Sequence, residues 1–268
     1  MKSKEAMTLD RVLSRMGLAS RTAAREAILD GRLTVNGRVV RDLRCWVRPG
    51  RDIVHLDGER LRAARRLYLL FYKPKGVITS HGDPSERKTI YDYLAGVGQW
   101  VSPVGRLDKD TSGLLLVTND TEFADFVTSP QSQVSKTYLV KISGLVGDAI
   151  IQKLDAGIEM KRGDWATPLS VRRVEDRGKY TWLEIVLTEG KNREVRRMIE
   201  AVGFKVLKLV RTRIGALTLA GLQVGKWRDL SPAEMAVLKG RSASPRLSGR
   251  GRRGLSRRAG PGESTASV

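Results

Sequence analysis

The chain of 268 residues has one cysteine, Cys45, and two histidines, His55 and His81, well separated in sequence. One thiol cannot close an intramolecular disulfide or build a cysteine-based metal cluster. Two distant histidines argue against a zinc site or a Ser-His-Asp triad. No metal and no cofactor are therefore expected. No run of about 18 apolar residues occurs, so no membrane span is expected. The start, MKSKEAMTLD, lacks an apolar segment, which predicts no signal peptide and a cytoplasmic protein. Acidic residues are also in short supply: 29 against 49 lysines and arginines, a formal net charge of +20. The excess is spread along the chain, with net +8 over residues 1–66, +6 over 67–240 and +6 over 241–268. Such a distribution suits a long polyanionic partner, although solvated surface charge alone would give the same count.

What is present begins with a helical period. Leu9, Val12, Leu13 and Met16 fall on one face of a helix that Gly17 ends. Ser20 is placed to cap a second helix running to Leu29, with Gly31 as its stop. LTVNGRVV then predicts two short strands about Asn36-Gly37, a pair suited to a tight hairpin turn with positive φ at both positions. Arg11, Arg15, Arg21 and Arg25 lie off the apolar stripes and are candidates for RNA contact. RAARR (62–66) has the composition of a basic linker.

From Tyr68 the pattern changes to strands. LYLLFYKPKGVITS is an apolar strand ending at Lys73-Pro74. SGLLLVTND is a second, buried strand. KTYLVKISG puts Tyr138, Val140 and Ile142 on one face, and TWLEIVLTEG alternates Leu183, Ile185 and Leu187 against Glu184. NREVRRMIEAVG returns to a helical period, with Val195, Met198, Ile199 and Val202 together. FKVLKLVRTRIG is a basic strand. Strands outnumber helices without alternating strictly with them, which predicts an α+β chain with a mixed, largely antiparallel sheet. Residues 241–268 carry almost no large apolar side chains and predict a disordered, arginine-rich tail.

GRLDKDTSGLLLVTND (105–120) holds the most informative acid. Asp108 stands between Arg106 and Lys109, just before the buried strand. A carboxylate among cations stays ionised and can act as a nucleophile without histidine or metal. On spacing alone, an acid that caps a turn or makes an ion pair fits as well.

Motifs along the chain resolve this choice by resemblance. LDRVLSRMGLASRTAAREAILDGRLTVNGRVV resembles the S4 RNA-binding domain. PVGRLDKDTSGLLLVTND, with YKPKG (72–76), KTYLV (136–140) and EGKNREVRRMIEAVGFKVLKLVRTRIG (189–215), resembles the RsuA/RluB family of RNA pseudouridine synthases. The last stretch is closer to the RluB-like, 23S rRNA branch, because Arg193-Glu194 stands where other branches carry His-Gln. That departure argues against giving this chain the histidine role of the wider family.

The resemblance implies a ribosomal RNA pseudouridine synthase, most simply a monomer acting on 23S rRNA. It implies an S4-like domain and linker over 1–66, a catalytic domain over 67–240 and the tail over 241–268. It makes Asp108 the catalytic carboxylate, Tyr138 the stacking surface for a flipped uridine, and Arg196 the partner that orients Asp108. Arg197, about 100° further around the helix, cannot share that place. Arg106, Lys73 and Lys191 are candidates for anchoring the extruded nucleotide. The alternatives are a 16S rRNA synthase, a non-catalytic ribosome-assembly protein, and a glycosidase-like enzyme. The last would want a second carboxyl, and nothing identifies Asp110 as that acid.

Overall fold

The computed structural model describes residues 6–81, 85–161 and 163–240. Residues 241–268, and the tail expected there, lie outside the described residues.

The first unit is small and built as its periodicity dictates. Helix α1 (Leu9–Arg15) buries Leu9, Val12 and Leu13. Helix α2 (Arg21–Leu29) is capped by Ser20, whose side chain accepts from the Ala23 N–H at 3.0 Å. Gly17 and Gly31 follow the two helices with positive φ, 72° and 73°. The strands Leu33–Val35 and Arg38–Val40 pair antiparallel about Asn36 (φ 50°) and Gly37 (φ 81°). Val54–Leu56 and Glu59–Arg60 complete a four-stranded sheet. Its core of Leu9, Leu13, Ile28 and Leu33 is separate from the cores that follow.

The second unit is a nine-stranded sheet. Its main strands are β1 (Tyr68–Lys73), β2 (Ser112–Thr118), β3 (Lys136–Ser143), β4 (Ser170–Arg177), β5 (Tyr180–Leu187), β6 (Val206–Ile214) and β7 (Trp227–Asp229). They lie in the order β4-β5-β3-β6-β2-β1-β7. Only β6 and β2 run parallel, through two residue pairs, Val210 with Ser112 and Arg211 with Gly113. The expected α+β class and largely antiparallel, mixed sheet are thus present.

Helix α3 (Thr121–Thr128) packs Phe123 and Val127 over Leu70, Leu114 and Leu116. Helices α4 (Asp148–Asp155) and α5 (Glu194–Ala201) cover Val140, Ile142 and Ile185. Helix α6 (Pro232–Gly240) adds Leu238 to the α3 side. Val195, Met198 and Ile199 of α5 are buried, as their spacing predicts.

The stretch 62–66 is held at both ends rather than loose. Ala64 N–H donates to the Met16 carbonyl at 2.9 Å. Asn119 fastens the other end by accepting from Leu67 N–H and donating to the Arg65 carbonyl, both at 2.8 Å.

Candidate active site

β6 and β2 meet through two parallel pairs. Gly113 makes the approach there possible. Its φ is +118°, and a Cβ would lie 2.3 Å from the carbonyl oxygen of Arg211. Just before it, the loop 104–111 turns over a cavity of about 690 Å³. The cavity is walled by that loop, the end of α3, the start of β3, residues 187–195 and the inward side of β6.

Asp108 lines this cavity with its side chain 32 % exposed. Its backbone is tied down: the carbonyl accepts from Thr111 N–H at 3.0 Å and from Lys73 Nζ at 3.1 Å. Tyr138, on β3, lines the same cavity and packs between two apolar clusters. Arg106 and Lys191 line it as well. Arg106 is exposed, whereas Lys191 Nζ is shared between the Trp165 carbonyl (2.7 Å) and Glu189 (3.0 Å).

One of the sequence-based assignments needs correction, and a second residue lacks the direct ion pair expected of it. Lys73 is fully buried, and its Nζ donates to the carbonyls of Pro74, Asp108 and Thr111 at 2.9–3.1 Å. With all three donors used, it cannot anchor a phosphate; it fastens the Asp108 loop to the end of β1. Burial, partly offset by Asp108, lowers its pKa to about 8. Arg196 is buried on α5 and donates Nη2 to the Asp110 carbonyl at 3.0 Å. The ion pair at Asp108 is instead made by Arg193, at 3.8 Å. Burial first, and the Arg193 charge second, lower the Arg196 pKa, while Asp108 and Asp110 raise it. Arg196 therefore holds the loop backbone, and Arg193 meets the carboxylate. Arg197 points elsewhere, to Asp164 at 2.5 Å.

Arg193 has φ 49°, a left-handed conformation that disfavours a side chain. The strain sits at the residue that reaches Asp108. Sequence reasoning noted this arginine without giving it a role. It also gave no role to three buried groups of the same cavity, Lys136, Glu194 and Arg211. Glu194 accepts from Lys191 N–H at 3.0 Å, and its other oxygen meets no donor. Burial, then the neighbouring Glu189 carboxyl, raises its pKa to about 7.

The four arginines of the first unit are placed unequally. Arg11 is exposed. Arg15 pairs with Glu122 at 2.6 Å, across to α3. Arg21 grips the buried Asp10 through Nε and Nη2 at 3.0 and 2.8 Å, with Arg25 at 3.6 Å from the same oxygen. Asp10 thus fixes two of the four on one surface, each still more than half exposed.

A loop acid, an aromatic ring and an arginine thus share one cavity large enough for a base. The RNA pseudouridylate synthase family model matches residues 67–201, and the S4 domain model matches residues 7–53. The chain belongs to the RNA pseudouridylate synthase family. It is 39 % identical over 232 residues to ribosomal large subunit pseudouridine synthase B of Bacillus subtilis (strain 168), spanning 86 % of this chain and 95 % of that protein. It is 36 % identical over 240 residues to the protein of the same name from Escherichia coli (strain K12), spanning 86 % and 81 %. A crystal structure of a pseudouridylate synthase superposes with a TM-score of 0.62 at 29 % identity, covering 87 % of this chain and 99 % of that one. Among the described residues, no helix is long and apolar enough to cross a membrane.

Proposed function

We propose that this pseudouridine synthase acts on large-subunit ribosomal RNA, with Asp108 as the catalytic carboxylate. The observation that carries the reading is the placement of Asp108. Its backbone is pinned by Lys73 and Thr111, its carboxylate meets Arg193, and its side chain opens on the cavity that Tyr138 shares. Isomerisation of uridine breaks the N1–C1′ bond, turns the uracil and joins C5 to C1′. It needs a flipped base, a reactive acid and exclusion of water, but no redox partner. Tyr138 supplies the face on which the ring stacks. Arg193 stands beside the acid, and Arg196 keeps its loop in register. Arg106 and Lys191, at the mouth, meet the RNA backbone.

The names of the relatives favour 23S over 16S rRNA as the target. Residues 1–66 act as the S4-like RNA-binding unit and linker, and 67–240 as the catalytic unit. We take the enzyme to work as a cytoplasmic monomer. Mapping pseudouridine at nucleotide resolution in rRNA from cells with and without the protein tests the reading. One large-subunit uridine should lose its modification. A loss confined to small-subunit rRNA would overturn the target, and no loss at all would overturn the activity.

A further inference from the structure

The cavity has two sets of cations. Arg106, Lys191 and Arg193 stand partly exposed at its mouth. Lys136 and Arg211 are sealed into its floor, 8 % and 5 % exposed. Lys136 has one carbonyl acceptor, Thr188 O, at 2.9 Å. Arg211 donates Nε to Leu114 O at 2.8 Å, but its enclosed Nη2 meets no acceptor. The two cations repel: burial first, and the Arg211 charge second, lower the Lys136 pKa to about 8. The buried carboxyl that faces Lys136 is Glu194, which burial keeps close to protonation near neutral pH. Two like charges with a donor left over are costly to bury unless something negative occupies the space beside them.

The fold says what stands there. Arg211 lies directly across the strand pair from Tyr138, so both side chains project from the same face of the sheet. On its other side Arg211 faces Gly113, five residues after Asp108. The sealed cations are thus neighbours of the ring-stacking residue and of the reactive loop.

We propose that Arg211, with Lys136 beside it, receives the carbonyl edge of the flipped uracil and stabilises the negative charge that builds on the ring during isomerisation. The inference rests on the pseudouridine synthase reading. When N1–C1′ breaks, the electron pair of that bond goes to N1 and is delocalised onto O2 and O4. The ring turns, and C5 supplies the electron pair for the new bond to C1′. The C5 proton then leaves and N1 takes one up, so no net proton or electron is exchanged. Between the two bonds the ring is an anion held only by its surroundings. A phosphate is the poorer occupant of the floor. It is flanked by two sugars and suits the exposed cations at the mouth, whereas a flat base can enter a narrow site.

The test is single-turnover rearrangement by the full-length enzyme on large-subunit rRNA transcripts made with uridine or with 5-fluorouridine. Loss of the N-glycoside is read by nuclease digestion and mass spectrometry, and RNA affinity is measured alongside. Fluorine makes the departing ring a weaker base, so its departure depends less on a cation. Arg211→Gln should slow the uridine reaction about 100-fold, a loss of the size seen when one preorganised donor is removed. The loss should be about ten times smaller on the fluorinated transcript, with RNA affinity little changed. Arg211→Lys should recover part of the rate. Equal losses on both transcripts, an unchanged rate, or a defect mainly in RNA affinity would overturn the proposal, the last by assigning Arg211 to a phosphate. If Arg211→Gln does not fold, Lys136→Gln carries the same comparison, and equal losses there are equally decisive. A wild-type enzyme inactive on the uridine transcript would instead remove the enzymatic reading itself, and this proposal with it.

Discussion

Two carboxyl groups of one cavity are held in opposite ways. Asp108 is partly exposed and has a cation at 3.8 Å. Glu194 is 3 % exposed and has one backbone donor, with the acidic Glu189 next to it. Burial beside a like charge disfavours the ionised form of Glu194. The pKa of Glu194 in the fold, about 7, lies above its ordinary value of 4.5. A carboxyl raised in this way contributes stability that is full below about 4.5 and is lost as pH rises through about 7. The groups that face it are Glu189, Lys191 through its backbone N–H and its charge, and Lys136. Glu194→Gln keeps an acceptor for Lys191 N–H but cannot ionise. Melting temperatures at pH 5 and pH 8 should therefore fall less in the variant than in the wild type, and the variant should be the more stable at pH 8. Parallel pH profiles would show that Glu194 does not titrate in this window.

At the scale of elements, Asp120 joins α3, β1 and the connecting stretch. Its side chain caps α3 by accepting from Glu122 and Phe123 N–H at 3.1 and 3.2 Å. Its other oxygen accepts from Tyr68 Oη at 2.7 Å and from Arg66 at 2.8 Å. Asp120→Ala removes a helix cap and one of the two partners of the half-buried Tyr68 hydroxyl, so urea denaturation should report a loss of about 1–3 kcal/mol. Arg66→Ala removes only the mostly exposed partner and should lose less than about 1 kcal/mol. Equal losses would mean that the ion pair, not the cap, holds the junction.

The elements themselves were legible in the sequence because their signals are local. Alternation through Leu183, Ile185 and Leu187, the Asn36-Gly37 turn and the stripe Val195-Met198-Ile199 each need only neighbouring residues. The site was legible in part. Asp108 and Tyr138 came from motifs, and the cavity brings them together. Lys73 was misjudged because its three acceptors lie on loops that only the sheet brings together. Arg211 was given no role because its place depends on register with Tyr138 and Gly113. A local trace existed: Arg211 follows Leu209 in the inward phase of a strand, where an arginine is out of place unless something partners it.

Across the whole molecule, the charge excess is not equally available to RNA. Arg15 is drawn to Glu122, and Arg21 and Arg25 lean on Asp10. Arg11 is exposed, with no acid within ion-pair distance among the described residues. Arg11→Ala should weaken rRNA binding similarly across sequences and reduce the slope of log affinity against log salt by about 1. Arg15→Ala should change the slope less. A larger effect from Arg15 would place the RNA path over the junction with α3.

The central claim is that the acid of the 104–111 loop does the chemistry while the surrounding cations hold the RNA. Asp108→Asn keeps the size of the side chain and removes its charge, and losing one negative charge does not repel phosphate. The deciding measurement is single-turnover pseudouridine formation by Asp108→Asn on rRNA, paired with its RNA affinity. The account predicts turnover at background with binding retained. Wild-type pseudouridine formation by this variant would contradict it.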